Sequence, residues 1–382
     1  MSKLPRCGQS VGWGLSLALA FCVLLPAGVS RAAENYQTLT PQAKKLVASC
    51  TRRLTGPYEA RCDSARGIIL VMSKHNGSID QALARLQAFN DALRSTPLNQ
   101  PLPWTMTILI PDQGDYGKLV RDGGLEGVYY TDSRSATTYD PGRGVRHEFI
   151  HAIHHADAVY QLHAVWVWEG FASLFEHSRI TPAGKLEPQL DGRLRIIQQA
   201  VRDGTCPSLN ELMSRDCDQF NSLPQLHYGM ARYVMLYLHE QGLLGKWYQA
   251  YKADYKQDTS GALALEKVTG KPLEQVQTAW RLWLLTRELR WVTFSNVRAS
   301  LGVETRPVSN GVQVVRLMDN SPAELLDALR VGDVIQEVNG CKAAADLDSQ
   351  LTGLCAGQSV PLVLDRRGQR MVLEQVLGPA QN

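Results

Sequence analysis

His147-Glu148-Phe149-Ile150-His151 places two histidines four residues apart around a glutamate. On a helix, residues i and i+4 lie on one face, about 6 Å apart along the axis. Two imidazoles at that spacing can bind one metal ion, and the intervening glutamate can handle protons beside it. The segment Val145 to Ala158 lacks proline and glycine and follows the turn Asp140-Pro141-Gly142, which predicts one continuous helix.

A further acidic residue, Glu169, lies in the stretch Trp166-Val167-Trp168-Glu169-Gly170-Phe171-Ala172. The segment Trp166 to Glu176 is predicted to form a second helix that runs against the first. A carboxylate from this helix would complete a His, His, Glu ligand set with one position open for water. The alternative is a core helix whose histidines only make hydrogen bonds within the protein.

The two stretches together resemble paired motifs of the gluzincin metallopeptidases, H-E-x-x-H and W-x-x-E-G-x-A. The second motif is matched by Trp166, Glu169, Gly170 and Ala172. The motifs span about thirty residues, and a weaker resemblance extends over Leu102 to Arg287. The resemblance implies a zinc-dependent peptidase whose substrate is a peptide or protein.

The resemblance also assigns roles to individual residues. It implies that His147, His151 and Glu169 bind one Zn²⁺ ion, and that Glu148 is the general base. A rival third ligand is Asp157, which lies ten residues after His147. His154, at i+7, lies near the same helix face and is a candidate for orienting a ligand.

A later segment supplies candidates for stabilising the negatively charged oxygen of the reaction intermediate. It runs Leu226-His227-Tyr228-Gly229-Met230 and resembles a gluzincin helix that opens with a tyrosine. Tyr228 is the first candidate for this catalytic role and His227 the second. The alternative is that Tyr228 is an ordinary core aromatic residue.

The N-terminus has the composition of a targeting signal. Lys3 and Arg6 precede an apolar run from Val11 to Leu25, and Ser30-Arg31-Ala32 supplies small residues for cleavage. Residues 1–32 are therefore predicted to be a signal peptide for export to the periplasm or beyond the cell. The alternative is an uncleaved anchor, but about fifteen apolar residues are short for a membrane span, which favours the cleaved signal. No stable span is expected after cleavage.

The charge balance argues against a nucleic-acid partner. The chain has 40 basic and 37 acidic side chains, a formal charge of +3. Lys3, Arg6 and Arg31 lie in the predicted signal, so the remainder has 37 of each sign. A neutral chain lacks the basic surface that binds nucleic acid.

Six cysteines follow the predicted signal, in three close pairs. The pairs are Cys50 with Cys62, Cys206 with Cys217, and Cys341 with Cys355. An exported chain predicts disulfide bonds, and nearest-neighbour pairing is the simplest of the fifteen connectivities. Reduced, buried thiols are the alternative.

The remaining chain predicts an α+β protein. Residues 33–100 are predicted to be a helical region, with Ile79 to Leu93 strongly periodic. Residues 101–290 form the gluzincin-like peptidase domain, mostly helical after strands at Thr105–Ile110 and Gly123–Tyr130. In the family, an edge strand beside the metal helix holds extended substrate. Glu288 to Ser300 is predicted to be a linker.

After the linker the pattern changes to short alternating strands. Ser321-Pro322-Ala323, Gly332-Asp333 and Asn339-Gly340 resemble the turns of a bacterial, protease-associated PDZ domain over residues 300–378. The resemblance implies a small, β-rich, separately folding domain. It also implies that a protein C-terminus could bind at the loop Leu301-Gly302-Val303. Ala328, where glycine is common, weakens the match at the peptide site.

Two functions follow as hypotheses. The first is an exported zinc peptidase whose PDZ domain docks substrate or regulates cleavage. The second is a scaffold: a metal-binding but catalytically inactive peptidase fold that acts through PDZ contacts. The presence of Glu148 favours the first, because an inactive protein has no need of a general base.

Overall fold

The computed structural model describes residues 54–120, 126–157, 164–289 and 294–380, together with residues 48, 51 and 52. The predicted signal peptide, residues 1–32, and Cys50 lie outside the described residues. Among those described, no helix has the length and apolar character needed to cross a membrane.

The first part of the described chain alternates strands and helices before the helix that carries His147 and His151. Its elements are β1 (Tyr58–Asp63), β2 (Ile68–Ser73), α1 (Ile79–Leu93), β3 (Met106–Ile110), α2 (Gln113–Leu119), β4 (Gly127–Tyr130) and β5 (Ser135–Thr138). The strands form one sheet in the order β1-β2-β3-β5-β4. Strands β2, β3 and β5 are parallel, whereas β1 and β4 pair antiparallel at the two ends.

The predicted helical region is wrong between residues 58 and 73, where the structure has β1 and β2. All six residues of β2 are buried, because the strand packs on both faces: Ile68, Leu70 and Met72 belong to one apolar cluster, and Ile69 and Val71 belong to another. Its continuous apolar run is typical of a buried parallel strand, which helical periodicity does not detect. The prediction for α1 is confirmed; Ser78 caps it by accepting a hydrogen bond from Gln81 N.

Helices dominate from residue 143 to residue 285. They are α3 (Arg143–Asp157), α4 (Val165–Glu176), α5 (Arg193–Arg202), α6 (Leu209–Ser214), α7 (Cys217–Asn221), α8 (Pro224–Glu240), α9 (Leu244–Asp254), α10 (Ala262–Thr269) and α11 (Leu273–Leu285). The hairpin β6 (Ser178–Ile180) and β7 (Leu186–Pro188) follows α4. Both predicted motif helices are present, and α4 packs between α3 and α8.

The C-terminal region, residues 294–380, is rich in strands, as predicted. Its elements are β8 (Phe294–Ser300), β9 (Val303–Val308), β10 (Gly311–Leu317), α12 (Pro322–Leu326), β11 (Val334–Val338), β12 (Cys341–Lys342), β13 (Cys355–Ala356), β14 (Ser359–Arg366), β15 (Gln369–Val376) and β16 (Gly378–Pro379). One sheet has the order β15-β14-β11-β10-β9, with β12 beside β11. Strand β8 pairs with β13 and β16, so the predicted linker is wrong over residues 294–300.

The core of the C-terminal region continues into the preceding part of the chain. Buried Val312, Leu329 and Leu364 belong to one apolar cluster with Tyr116 and Tyr139, which precede helix α3. Burial of apolar surface between two parts of a chain stabilises their association. The C-terminal region is therefore packed against the helix-rich part, residues 54–289.

The predicted disulfide bonds between Cys206 and Cys217 and between Cys341 and Cys355 are not formed. Among the described cysteines, Cys206, Cys217 and Cys341 are free thiols. Cys206 is buried at the start of the turn before α6, which raises the pKa of its thiol. Close spacing in the sequence suggested these pairs, but spacing alone does not set the separation and orientation that a disulfide requires.

Candidate metal centre

The helix α3 presents two histidines on one face, toward α4. Its apolar face is fully buried, with Phe149 and Ile150 at 0% exposure. At its N-terminal end, Asp140 Oδ1 accepts a hydrogen bond from Gly142 N at 2.7 Å, which fixes the turn into the helix. The ring centroids of His147 and His151 lie 4.7 Å apart.

Glu169 on α4 meets both histidines. Its Oε2 lies 3.3 Å from Nε2 of His147 and 3.5 Å from Nε2 of His151. Atoms bound about 2.0–2.1 Å from a tetrahedral zinc ion are roughly 3.3 Å apart, so both distances from Glu169 Oε2 suit ligands of one ion. The structure thus brings together the three residues that the sequence predicts as ligands.

The buried groups at this point fit a cation. Glu169 Oε2 is buried without a hydrogen-bond partner among the described residues. Burial alone would raise the pKa of Glu169, but the neighbouring His151 and His147 outweigh it and lower that pKa to about 2. Burial lowers the pKa of His151, which favours the neutral imidazole that binds a metal ion. An ion here would satisfy the unpaired carboxylate oxygen.

Glu148 lies beside this cluster and against strand β4. A Cβ atom on Gly127 would lie 2.5 Å from Glu148 Oε1, so glycine leaves the space that the carboxylate occupies. Burial raises the pKa of Glu148 to about 8; His147 opposes the rise, and the charges of Glu169 and Glu176 add to it. This carboxylate can therefore accept and release a proton near neutral pH.

The network behind His147 was missed by sequence reasoning. Glu176 Oε2 lies 2.6 Å from Nδ1 of His147, and Arg193 Nη1 donates to Glu176 Oε1 at 2.5 Å. Arg193 also contacts Asp191 Oδ2 at 3.2 Å. A usable signal existed, because Glu176 lies seven residues after Glu169 and thus on the same helix face.

A second group of buried ligand-type side chains consists of Glu176, His177 and Asp191. Two guanidinium groups already neutralise its acids: Arg193 contacts both, and Arg232 Nε lies 3.1 Å from Asp191 Oδ2. The arrangement is a buried ion-pair network that supports the first cluster, and a cation would be repelled by the two arginines.

Tyr228 lies near the cluster, on the first turns of α8. Its ring centroid is 6.4 Å from that of His147 and 5.0 Å from that of Phe220. The second candidate, His227, is fully buried, and its Nδ1 lies 2.7 Å from the carbonyl oxygen of Phe220. Of these two residues, Tyr228 is the one whose ring contacts a predicted ligand.

Asp157, the alternative third ligand, contacts side chains of helix α9. Its Oδ2 accepts a hydrogen bond from Tyr248 at 2.7 Å and lies 2.8 Å from Lys252 Nζ. His154 packs among aromatic rings, with its centroid 5.1 Å from that of Trp168. Trp168, which the sequence analysis gave no role, also stacks on His151 at 5.1 Å and 16°.

The predicted peptide-binding loop of the C-terminal region has its amides engaged. Leu301 N donates to Asp348 Oδ1 at 3.3 Å, and Gly302 N donates to Ser300 Oγ at 3.1 Å. A cavity of about 230 Å³ beside this loop is lined by the acids Glu304 and Asp348. A C-terminal carboxylate entering it would have to displace Asp348 from the Leu301 amide, and of the two acids only Glu304 forms an ion pair among the described residues, with Arg316.

Comparison with known proteins assigns no family. No protein-family model matches the chain, and neither does any curated protein. The solved HtrA-type protease AlgW with decapeptide is 24% identical over 22% of this chain and 30% of its own, with a TM-score of 0.21. A serine endoprotease from Yersinia pestis is 19% identical over 28% of this chain and 36% of its own, with a TM-score of 0.20.

An aminopeptidase N family protein from Idiomarina loihiensis matches a larger share of the chain. It is 13% identical, covers 85% of this chain and 67% of its own, and has a TM-score of 0.28. What the site can do therefore follows from its own residues.

Proposed function

We propose that this chain is a zinc-dependent peptidase that hydrolyses peptide bonds. One observation carries the proposal: Nε2 of His147, Nε2 of His151 and Oε2 of Glu169 converge on one point beside the Glu148 carboxylate. Two neutral nitrogen donors and one carboxylate are the ligand set of many hydrolytic zinc sites. When bound there, zinc would activate a water molecule and polarise a substrate carbonyl.

Glu148 is the proton carrier in this proposal. Its Oε2 is buried without a hydrogen-bond partner among the described residues, so it is free to accept a proton from the attacking water. With a raised pKa it can then pass that proton to the leaving amine. A cation held beside it would lower this pKa from about 8 toward neutral pH.

Tyr228 is the proposed donor to the oxygen that becomes negatively charged. A phenol can donate one hydrogen bond, and a donor aimed at the developing charge stabilises the transition state more than the substrate. Its ring lies beside His147, on the side of the cluster formed by α8.

Strand β4 is the proposed site for an extended substrate. It stands at the end of the strand order, and Gly127, its first residue, adjoins the Glu148 carboxylate. An exposed strand edge can bind a peptide backbone by adding one strand, which would present a peptide bond to Glu148. Trp168, stacked on His151, would form an apolar wall near the same point.

The test combines metal analysis with cleavage of a peptide library by the mature protein. We expect one zinc ion per chain and hydrolysis that falls at least about 100-fold in Glu148→Gln, since this change keeps the shape and removes the proton acceptor. The exposed substitution Glu187→Gln is the matched control. A Glu148→Gln variant that binds zinc and cleaves as fast as wild type would exclude Glu148 as the general base.

Zinc binding without cleavage of any peptide by the wild-type protein would instead favour the inactive scaffold. Absence of zinc from a folded wild-type protein would reject both hypotheses that rest on this metal site.

A further inference from the structure

Two arginines of the metal helix α3 pair with acids of the C-terminal region. Arg143 Nη1 contacts Asp327 Oδ1 at 2.6 Å, and Arg146 Nη1 contacts Asp319 Oδ1 at 3.2 Å. Arg146 also pairs with Glu324. Arg143 is 5% exposed and Arg146 9%. Arg146 depends on the C-terminal acids for charge compensation, whereas Arg143 is paired with both Asp327 and Glu126.

The same C-terminal segment contacts the loop before α5. The carbonyl oxygen of Leu325 accepts a hydrogen bond from Gly192 N at 2.7 Å. A Cβ on Gly192 would lie 2.6 Å from the carbonyl oxygen of Leu326, although the backbone there is right-handed helical. Glycine is thus required by the close approach of the two backbones. Its neighbours are Asp191 and Arg193, which belong to the network behind His147.

Both contacts lead to His147. Arg143 lies one helical turn before it, and Arg193 holds Glu176, which in turn holds Nδ1 of His147. We propose that the docking segment, residues 319–327, positions the metal ligand His147 through Arg143 and through the loop at Gly192. The proposal rests on the function proposed above. Residues of the docking segment are positioning residues and touch no reacting atom.

The physical reason is that the groups in contact with a metal-binding histidine fix the orientation of its ring. Groups that hold a metal-bound histidine contribute about 10- to 100-fold to metal affinity. If the segment moved away, buried Arg146 would lose its acids and the Gly192 loop its backbone bond, so α3 and Arg193 would relax. The apolar contact of Tyr116 and Tyr139 with the C-terminal core would remain, which should keep single variants folded.

Two variants of the full chain disturb the contact by different means. Asp327→Asn removes one charge, and asparagine tolerates the left-handed backbone at this position, φ 54°. Gly192→Ala inserts a methyl group between the backbones without changing charge. The controls are Glu374→Gln, an exposed residue of β15, and Gly117→Ala, where a Cβ would meet nothing within 4 Å.

The measurements are the zinc dissociation constant by chelator competition, the visible absorption of the cobalt-loaded protein, and far-UV circular dichroism. We expect both interface variants to bind zinc at least about 10-fold more weakly and to shift the cobalt spectrum, with unchanged circular dichroism. Both controls should match wild type in all three measurements.

Zinc affinity and cobalt spectra equal to the controls would overturn the proposal. Loss of folding in both interface variants would also overturn it, because the contact would then serve general stability. If one variant fails to fold, the zinc affinity and cobalt spectrum of the other variant test the proposal. A wild-type protein that binds no zinc would instead reject the proposed function.

Discussion

Glu176 lies 2.6 Å from Nδ1 of His147, while Glu169 lies 3.3 Å from Nε2 of the same ring. The His147 ring thus lies between two carboxylates. Glu169 is on its Nε2 side, with the other predicted metal ligand, His151, and Glu176 is on its Nδ1 side. Although burial lowers the pKa of His147, its close contacts with the Glu169 and Glu176 carboxylates raise that pKa well above the usual value. Without a metal this ring is expected to carry a proton, which zinc must displace.

We expect Glu176→Gln to weaken zinc binding about 10- to 100-fold, because the amide keeps the shape but loses the charge that orients His147. Chelator competition at neutral pH measures the change, with the exposed Glu187→Gln as control. Equal dissociation constants for the two variants would show that Glu176 only neutralises the charge of Arg193.

Glu169→Ala is expected to abolish stoichiometric zinc binding, whereas Asp157→Ala should retain one ion per chain. The first change removes a proposed ligand; the second removes only the partner of Tyr248 and Lys252. Metal content after gel filtration distinguishes them. Retention of zinc by the Glu169 variant would overturn the ligand assignment, and loss by the Asp157 variant alone would favour the rival ligand.

Tyr228→Phe should lower the turnover number by about 10- to 100-fold while zinc content and unfolding stay unchanged, because phenylalanine cannot donate to the oxyanion. Tyr237→Phe, nine residues later on the same helix, is the matched control. Steady-state kinetics on a short peptide measures the effect. A rate equal to that of the control would make Tyr228 an ordinary packing residue.

The sequence was informative where a local pattern sets the geometry. Helix α3 was predicted because His147 and His151 are four residues apart in a segment without proline or glycine, and the structure brings both histidines together with Glu169. Strands β1 and β2 were missed, because the first five residues of β2 are all apolar and show no alternation. Its strand character depends on pairing with β1 and β3, which a local pattern does not contain.

Contacts between distant parts of the chain could not be predicted. Arg143 and Asp327 are 184 residues apart, and no local signal links them. The C-terminal region was predicted to fold alone, since its turns are self-contained in sequence. Its packing against Tyr116 and Tyr139 depends on side chains whose burial is set by tertiary structure.

The last prediction concerns Glu324, which faces Arg146 in the docking contact. Burial raises the pKa of this carboxyl to about 7; Arg146 opposes the rise, Asp319 and Asp140 add to it, and a hydrogen bond from Asn320 N opposes it. In the unfolded chain a glutamate titrates near 4.3. Between these two pKa values the folded protein holds a proton on Glu324 that the unfolded chain has lost. The contribution of Glu324 to the free energy of unfolding is therefore fully present at lower pH. This contribution decreases as pH rises toward 7.

We therefore expect wild type to lose up to about 3 kcal/mol more unfolding free energy than Glu324→Gln between pH 4 and 8. Urea unfolding with chelator present measures this without a contribution from metal release. Glu374→Gln should follow wild type, and parallel curves for wild type and Glu324→Gln would show that Glu324 does not titrate in this range.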